Sequence, residues 1–153
     1  MNRVRPARAE EASALTALCI RSKAHWGYDA EFMRRAASAL TVTPAMIEKG
    51  RVLVAENQHS SLLGVAAVEP TRTDGKFDLS LLFVDPSAIG TGVGRFLFEA
   101  ATRVVERHGG NSLSILADPF AAAFYQRLGA VKIGEAPSDA IPGRYLPLFD
   151  YPI

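Results

Sequence analysis

Apolar positions recur along the chain in two different periods, and the change of period divides it into predicted elements. In the first fifty residues the spacing is helical, as for Ala12, Leu15 and Cys19. From Arg51 onward, short apolar runs separated by turn residues indicate strands. The pattern predicts helices over residues 9–22, 29–40, 93–108 and 120–128, a short helix that begins at Pro44 and is closed by Gly50, and strands over residues 3–5, 51–56, 62–68, 77–84, 112–117, 130–133 and 145–149.

The order of these elements indicates the fold class. A strand, two or three helices and three antiparallel strands are followed by helix, strand, helix and a closing strand pair. This order predicts an α/β protein, layered rather than doubly wound, with a mixed, mostly antiparallel central sheet flanked by helices. The 153 residues are expected to form one domain, residues 1–153, with a core that needs no disulfide or metal.

Three glycines between a predicted strand and a predicted helix are the most informative local feature. Gly90, Gly92 and Gly94 follow Asp85-Pro86 at alternate positions. Because glycine lacks Cβ, such a loop brings backbone N–H groups close to a ligand, and the helix start adds unpaired N–H groups and a positive dipole end. The segment therefore predicts a phosphate or pyrophosphate site. A plain strand-to-helix turn is the structural alternative.

The spacing excludes two common phosphate loops. In the NAD fingerprint the third glycine would fall at Arg95, and a P-loop needs Lys followed by Ser or Thr after its last glycine. Residues 89–94 instead resemble the Q/R-x-x-G-x-G/A loop of the GCN5-related N-acetyltransferase (GNAT) family, with Ile89 in place of Gln or Arg. Residues 118–130 are similar to the family's N-x-x-A-x-x-F-Y motif, with Asp118 in place of Asn.

The resemblance covers nearly the whole chain and implies acetyl-CoA as co-substrate. It implies that the backbone of Leu82, Phe83 and Val84 pairs with the pantetheine arm and polarises the thioester carbonyl. Tyr125 falls on the family's general acid, and aromatic packing is the alternative role. The remaining residues that the resemblance places at the cofactor are Ile89, Gly90, Thr91, Gly92, Val93, Gly94, Arg95, Asp118, Ala121 and Phe124.

A base must also remove a proton from the attacking amine. Asp78 lies where family members often have a carboxylate, and strand alternation would place it on one face with Ser80 and Leu82. The alternative is a solvated residue at the start of the strand. Glu31, near the expected acceptor side, is the weaker candidate, and a water chain is also open.

The acceptor site of the family lies between the first helix pair and the loop joining the last two strands. His25, Trp26 and Tyr28 are predicted to form an aromatic wall that receives a cation, or else to be helix-junction packing. Arg144 is predicted to clamp a substrate carboxylate, or else to pair with Asp139 or Asp150. Segments 22–28 and 141–147 look like those of a bacterial subgroup.

The composition and charge of the chain limit the kinds of binding partner that are expected. The formal net charge is +1 without charged blocks, which argues against nucleic acid. No apolar run is long enough to span a membrane, and the N-terminus lacks a signal-peptide core, so a cytoplasmic location is expected. Cys19 is expected to be buried, and no spacing indicates a metal. A homodimer is left open.

Two hypotheses of different classes follow. The first is an acetyl-CoA-dependent N-acetyltransferase acting on the primary amine of a small molecule. The alternative is an acyl-CoA-binding sensor or regulatory module with the same fold and little turnover, which Ile89 and the uncertain base both permit. Acetylation of aminoacyl-tRNA is a distant third, because the chain lacks a basic stripe.

Overall fold

The computed structural model describes all residues from Met1 to Ile153. The helices are α1 (Ala12–Ala24), α2 (Ala30–Ala36), α3 (Pro44–Glu48), α4 (Val93–Arg107) and α5 (Ala122–Arg127). The strands are β1 (Arg3–Pro6), β2 (Val52–Glu56), β3 (Leu62–Pro70), β4 (Lys76–Val84), β5 (Ser112–Leu116), β6 (Val131–Pro137) and β7 (Tyr145–Pro152). Short 3₁₀ turns cover Ala9–Glu11, Ala37–Leu40, Pro86–Ala88 and Pro119–Ala121.

One seven-stranded sheet runs in the order β1-β2-β3-β4-β5-β7-β6. All neighbouring strands are antiparallel except β4 and β5, which are parallel. The parallel pair is the one whose connection contains the long helix α4, as a parallel crossover requires. The predicted fold class, a mixed and mostly antiparallel sheet flanked by helices, is confirmed.

Helices cover both faces of the sheet and create two apolar cores. The α4 core joins α4 and α5 to one face, with Leu97, Phe98 and Phe149 almost fully buried. The α1 core joins α1, α2 and α3 to the other face around Leu15, which is also fully buried. Truncating a buried side chain of this kind typically costs about 2–5 kcal/mol. Cys19 is fully buried in the α1 core, as predicted.

The predicted elements are all present, but several of their ends differ. The second helix was expected to reach Leu40, whereas α2 ends at Ala36 and a 3₁₀ turn completes the segment. At its start, the Asp29 side chain accepts a hydrogen bond from the Phe32 N–H, a standard N-cap. The last two strands are longer than predicted, because β6 is an exposed edge strand whose pairing continues where the apolar pattern has ended.

An ion-paired cluster fixes the start of α1 against the sheet. Arg5 in β1 donates to both carboxylate oxygens of Glu11, at 2.9 and 2.7 Å, and to Glu56 in β2 at 3.0 Å. These bonds lower the pKa values of both carboxyls below their usual range. The N-terminal end of α1 is therefore anchored to β1 and β2. None of the helices combines the length and apolar character needed to cross a membrane.

Candidate active site

The sheet opens between β4 and β5. The two strands pair only where Lys76, Phe77 and Asp78 face Ser112, Leu113 and Ser114. Beyond Asp78, residues 79–84 of β4 pair with β3 alone, while β5 continues beside β7. The two parallel strands therefore separate into a cleft, and β4 presents an edge that an extended ligand can pair with.

A β-bulge lies in β4 at the start of this cleft. The β3–β4 register shifts between the Ala67–Leu81 and Val68–Leu79 pairs, so Ser80 is the additional residue. As a result Leu79 and Leu82 both contact the α4 core, whereas Leu81 and Phe83 contact the α1 core. The prediction that Asp78, Ser80 and Leu82 share one face is therefore wrong, because the bulge interrupts the two-residue alternation.

The glycine loop lies at the end of β4. The Asp85 side chain accepts a hydrogen bond from the Ser87 N–H and so begins the 3₁₀ turn at Pro86. Gly90 and Gly92 then have φ values of 80° and 88°, a region that favours glycine, and Gly92 is the residue before α4. Thr91 closes the loop by donating its hydroxyl to the Ala88 carbonyl.

Several backbone N–H groups of this loop and of the start of α4 have no acceptor within the protein. The first hydrogen bond of α4 runs from the Phe96 N–H to the Gly92 carbonyl at 3.0 Å. No hydrogen bond within the protein uses the N–H groups of Gly90, Gly92, Val93, Gly94 and Arg95. Unpaired donors at a helix N-terminus, with the positive end of the helix dipole behind them, form an anion site. The structure thus brings the predicted loop residues into one such site.

Gly94 brings the two sequence motifs together. A Cβ at this position would lie 3.3 Å from the ring of Phe124 and 3.4 Å from the side chain of Val84. Helix α4 can therefore approach both the end of β4 and α5. Ala121 is half-buried against the same α4 core. Ile89 is 38% exposed, and Arg95 is exposed and paired with Glu99 at 3.0 Å.

Tyr125 is buried in α5 between the rings of Phe98, Phe124 and Phe149, whose centroids lie 5.1–6.4 Å away. Burial, and secondarily the negative charge of Asp118, raises the pKa of the Tyr125 hydroxyl well above its usual range. The hydroxyl makes no hydrogen bond within the protein, yet it is not sealed from solvent. Tyr125 thus packs in the core and also keeps a protonated hydroxyl that has no hydrogen-bond partner in the protein.

Asp78 and Glu31, the two candidate bases, lie in different electrostatic surroundings. Partial loss of hydration raises the pKa of the exposed Asp78 carboxyl against the opposing effect of Lys76, and the charge of Asp139 adds to the rise. Glu31 is exposed on α2, and hydrogen bonds from Arg34 and Arg35 lower its pKa. A carboxylate with a lowered pKa is the weaker base, so the structure favours Asp78 over Glu31.

Asp118 is the centre of a charged cluster that sequence reasoning did not anticipate. Its Oδ2 accepts hydrogen bonds from Lys23 Nζ at 2.5 Å and Tyr28 Oη at 2.8 Å, and its Oδ1 caps the Phe120 N–H at 2.9 Å. Burial alone would raise the Asp118 pKa, but the bonds from Lys23, the Phe120 N–H and Tyr28 outweigh it and leave the pKa below its usual value.

Arg144 completes this cluster. It donates to Tyr28 Oη at 2.8 Å and lies 3.9 Å from the Asp118 carboxylate. The alternative pairs with Asp139 or Asp150 are wrong, because Arg144 contacts Tyr28 and Asp118 instead. Lys23 was missed in the sequence, although one signal pointed to it: replacing the family's Asn by Asp118 creates a charge that needs a cation nearby.

The predicted aromatic wall is divided into two stacked pairs. Tyr28 stacks on Phe32 with centroids 4.0 Å apart, and Trp26 stacks on Phe120 at 5.3 Å. His25 is exposed beside Trp26. Lys23 and Arg144 themselves occupy the faces of the first pair, at 5.1 and 5.2 Å from the Tyr28 centroid. At Tyr28, Lys23 and Arg144 therefore already occupy the place expected for a substrate cation, whereas the same role of His25 and Trp26 stays a prediction.

A mixed sheet that splits beside a glycine loop with unpaired N–H groups defines an α/β domain with a cleft open to an extended ligand. Comparison with known protein families identifies the family of the chain. The family described as "Acetyltransferase (GNAT) domain" matches residues 9–140, and the chain belongs to this family. The family match supports an acetyltransferase activity in general. A search of curated proteins found no match.

Solved structures support the same fold. A GCN5-related N-acetyltransferase from Rhodopseudomonas palustris has a TM-score of 0.77 at 23% identity, covering 100% of this chain and 96% of its own. PaiA N-acetyltransferase from Thermoplasma acidophilum, in complex with coenzyme A, has a TM-score of 0.77 at 13% identity, covering 100% and 99%. YncA from Salmonella typhimurium, solved with its cofactor acetyl-CoA, has a TM-score of 0.69 at 20% identity, covering 98% and 91%.

Proposed function

We propose that this protein transfers an acetyl group from acetyl-CoA to the primary amine of a small molecule, by direct attack within a ternary complex. The observation that carries the proposal is the set of unpaired N–H groups of Gly90 and of residues 92–95 at the mouth of the β4–β5 cleft. Two structures with the same overall fold were solved with coenzyme A or acetyl-CoA, which supports this choice of co-substrate.

The residues present fit this co-substrate. In the proposed complex the N–H groups of Gly92, Val93 and Gly94 bind the pyrophosphate, and the β4 edge from Leu82 to Val84 pairs with the pantetheine amides. Ile89 offers no polar side chain here, so the backbone has to supply the binding. Acetyl-CoA supplies the activated acyl carbon, and a β4 N–H stabilises the charge that develops on the carbonyl oxygen.

Tyr125 is the proposed general acid. A departing thiolate needs a proton, and the Tyr125 hydroxyl retains its own because burial raises its pKa. Since the hydroxyl makes no hydrogen bond within the protein, donating that proton breaks no existing interaction. Asp118 acts on Tyr125 only through its charge and is bound by Lys23 and Tyr28, so its proposed role is to order the site.

Asp78 is the proposed base. It is the last β4 residue paired with β5, so it stands where the cleft begins, and the alternation from Phe77 directs it to the α1 face. A raised pKa makes its carboxylate a better proton acceptor than an ordinary surface aspartate. Because Asp78 is exposed, a water molecule that bridges it to the amine is compatible with the same role.

The second candidate function is an acyl-CoA-binding sensor with little turnover. Ile89, which replaces a polar residue, and the exposure of Asp78 favour it. The two candidates differ in one measurement: release of free thiol from acetyl-CoA in the presence of a panel of primary amines. Thiol release that depends on an amine, with a mass increase of the amine by one acetyl group, supports the enzyme. Tight acetyl-CoA binding without amine-dependent release supports the sensor.

A further inference from the structure

The cluster of Lys23, Tyr28, Asp118 and Arg144 joins three separate connections of the fold. Lys23 and Tyr28 come from the end of α1 and the segment after it, Asp118 follows β5, and Arg144 precedes β7. From this cluster we infer that the acceptor carries a carboxylate close to its amine, so that its class is the free amino acids. This inference rests on the proposed acetyl transfer and specifies its substrate.

Charge is the first argument. The cluster contains two cations and one carboxylate, and the side chains of Lys23, Arg144 and Asp118 are only 15%, 20% and 13% exposed. A net positive charge that is largely removed from water attracts an anion more strongly than the same charge on an open surface. It also repels a polycation such as a polyamine.

Hydrogen-bond accounting is the second argument. Asp118 already accepts from Lys23, Tyr28 and the Phe120 N–H, so both of its oxygens are in use. Lys23 donates one hydrogen bond and Arg144 also donates one, which leaves most of their N–H donors without an acceptor in the protein. The two Arg144 nitrogens that make no hydrogen bond are not sealed from solvent. The cluster thus has spare donors and few spare acceptors, as a carboxylate receptor requires.

Preorganisation is the third argument. The Arg144 guanidinium lies 4.8 Å from the Phe32 centroid and 5.2 Å from that of Tyr28, and its bond to Tyr28 Oη fixes its orientation. Side-chain entropy is therefore already lost before a ligand binds. The same contacts fill the aromatic faces that an ammonium group would otherwise use.

The cluster lies beside the proposed reaction centre. Asp118 lies two residues after the end of β5, one wall of the cleft, and its negative charge helps to raise the pKa of the Tyr125 hydroxyl. An amino acid whose carboxylate binds Arg144 can therefore direct its amine into the cleft. The amine nitrogen bonds to the acetyl carbon as the carbon–sulfur bond breaks, the sulfur takes one proton, and the amine gives up the proton that its bond replaces.

The test compares matched acceptors that differ only in the anionic group. The twenty common amino acids, their carboxamides and their decarboxylated amines are assayed for acetyl transfer at equal concentrations of free-base amine. We expect the best amino acid to exceed its carboxamide and its amine by about 10–100-fold in kcat/KM, the range of a charge-assisted bidentate pair. Carboxamides or amines that react as well as the amino acids would overturn the inference while leaving acetyl transfer intact.

Variants of Arg144 locate the effect. Arg144→Gln and the charge-conserving Arg144→Lys should raise KM for the amino acid about tenfold or more and leave KM for the carboxamide nearly unchanged. The control is Arg127→Gln, which removes an exposed arginine of α5 that makes no ion pair. Equal losses on both substrates would indicate a structural role for Arg144 and would contradict the inference.

Direct binding keeps the inference testable when no acceptor turns over. Amino acids and their carboxamides are titrated into the protein saturated with coenzyme A, and heat or chemical shift changes are followed. Selective binding of carboxylates that Arg144→Gln abolishes supports the inference even if the proposed transfer fails. Absence of any carboxylate binding, together with normal binding of coenzyme A, overturns it.

Discussion

Gly92 is the position at which one substitution tests the anion site most sharply. Its φ of 88° lies in the left-handed region, and a Cβ there would meet no protein atom within 4 Å. The Cβ of a valine at this position therefore has room in the folded protein. Its cost is conformational, about 1–2 kcal/mol for a residue with Cβ in this region and more for a β-branched one.

The effect on binding should be larger than this strain. If valine shifts φ at position 92, the N–H groups of Gly92 and Val93 turn away from the pyrophosphate. Each hydrogen bond to a charged group contributes about 1.5–3 kcal/mol, so losing two costs about 3–6 kcal/mol. This corresponds to a dissociation constant for coenzyme A that is about 10²–10⁴-fold weaker.

The chain offers a matched control at the other end of the same helix. Gly109 has a φ of 79°, and a Cβ there would also meet no atom within 4 Å. Gly109→Val therefore has the same kind of conformational cost without touching the loop. Calorimetric titration with coenzyme A should show a large loss only for Gly92→Val, and pantetheine, which lacks the pyrophosphate, should bind both variants alike. Wild-type affinity for coenzyme A in Gly92→Val would refute the assignment of the loop.

Three further substitutions test other parts of the site. Tyr125→Phe keeps the ring and leaves no hydrogen-bond partner unpaired, so the free energy of unfolding should hardly change. Its kcat should fall about 10–10³-fold, and a normal kcat would mean that Tyr125 is only a packing residue. Asp78→Asn should lower kcat. Because folding raises the Asp78 pKa, the unfolding free energy of the wild type falls as pH rises through the pKa of the folded state. Denaturation at several pH values should find the variant more stable than the wild type at neutral pH and no different below about pH 3, and a less stable variant at neutral pH would contradict this. Gly64→Ala places Cβ 2.7 Å from Leu97 Cδ1 and 2.9 Å from the Phe83 carbonyl oxygen, so urea denaturation should show a loss of about 1–3 kcal/mol; an unchanged midpoint would mean that β3 and β4 relax around the methyl group.

Much of the fold was predictable because its signals are local. Helical periodicity, the Thr43 N-cap with Pro44 behind it, and the glycines that end helices each depend on a few neighbouring residues. Strand ends were harder to predict at β6 and β7, where pairing with a neighbouring strand, not burial, decides the length. Asp78 was placed on the wrong face beside Leu82, because a bulge depends on the partner strand and leaves no mark in the apolar pattern.

The candidate site also has a part that depends on local sequence and a part that depends on contacts between distant residues. The glycine conformations and the helix start in residues 90–95 are encoded within that segment, so the sequence alone predicts the unpaired N–H groups on which the proposed anion site depends. The cleft beside the loop depends on where β4 stops pairing with β5, and the charged cluster joins Lys23 to Asp118, which is 95 positions away. Only tertiary structure brings such groups together, because contact between distant residues depends on how whole elements pack.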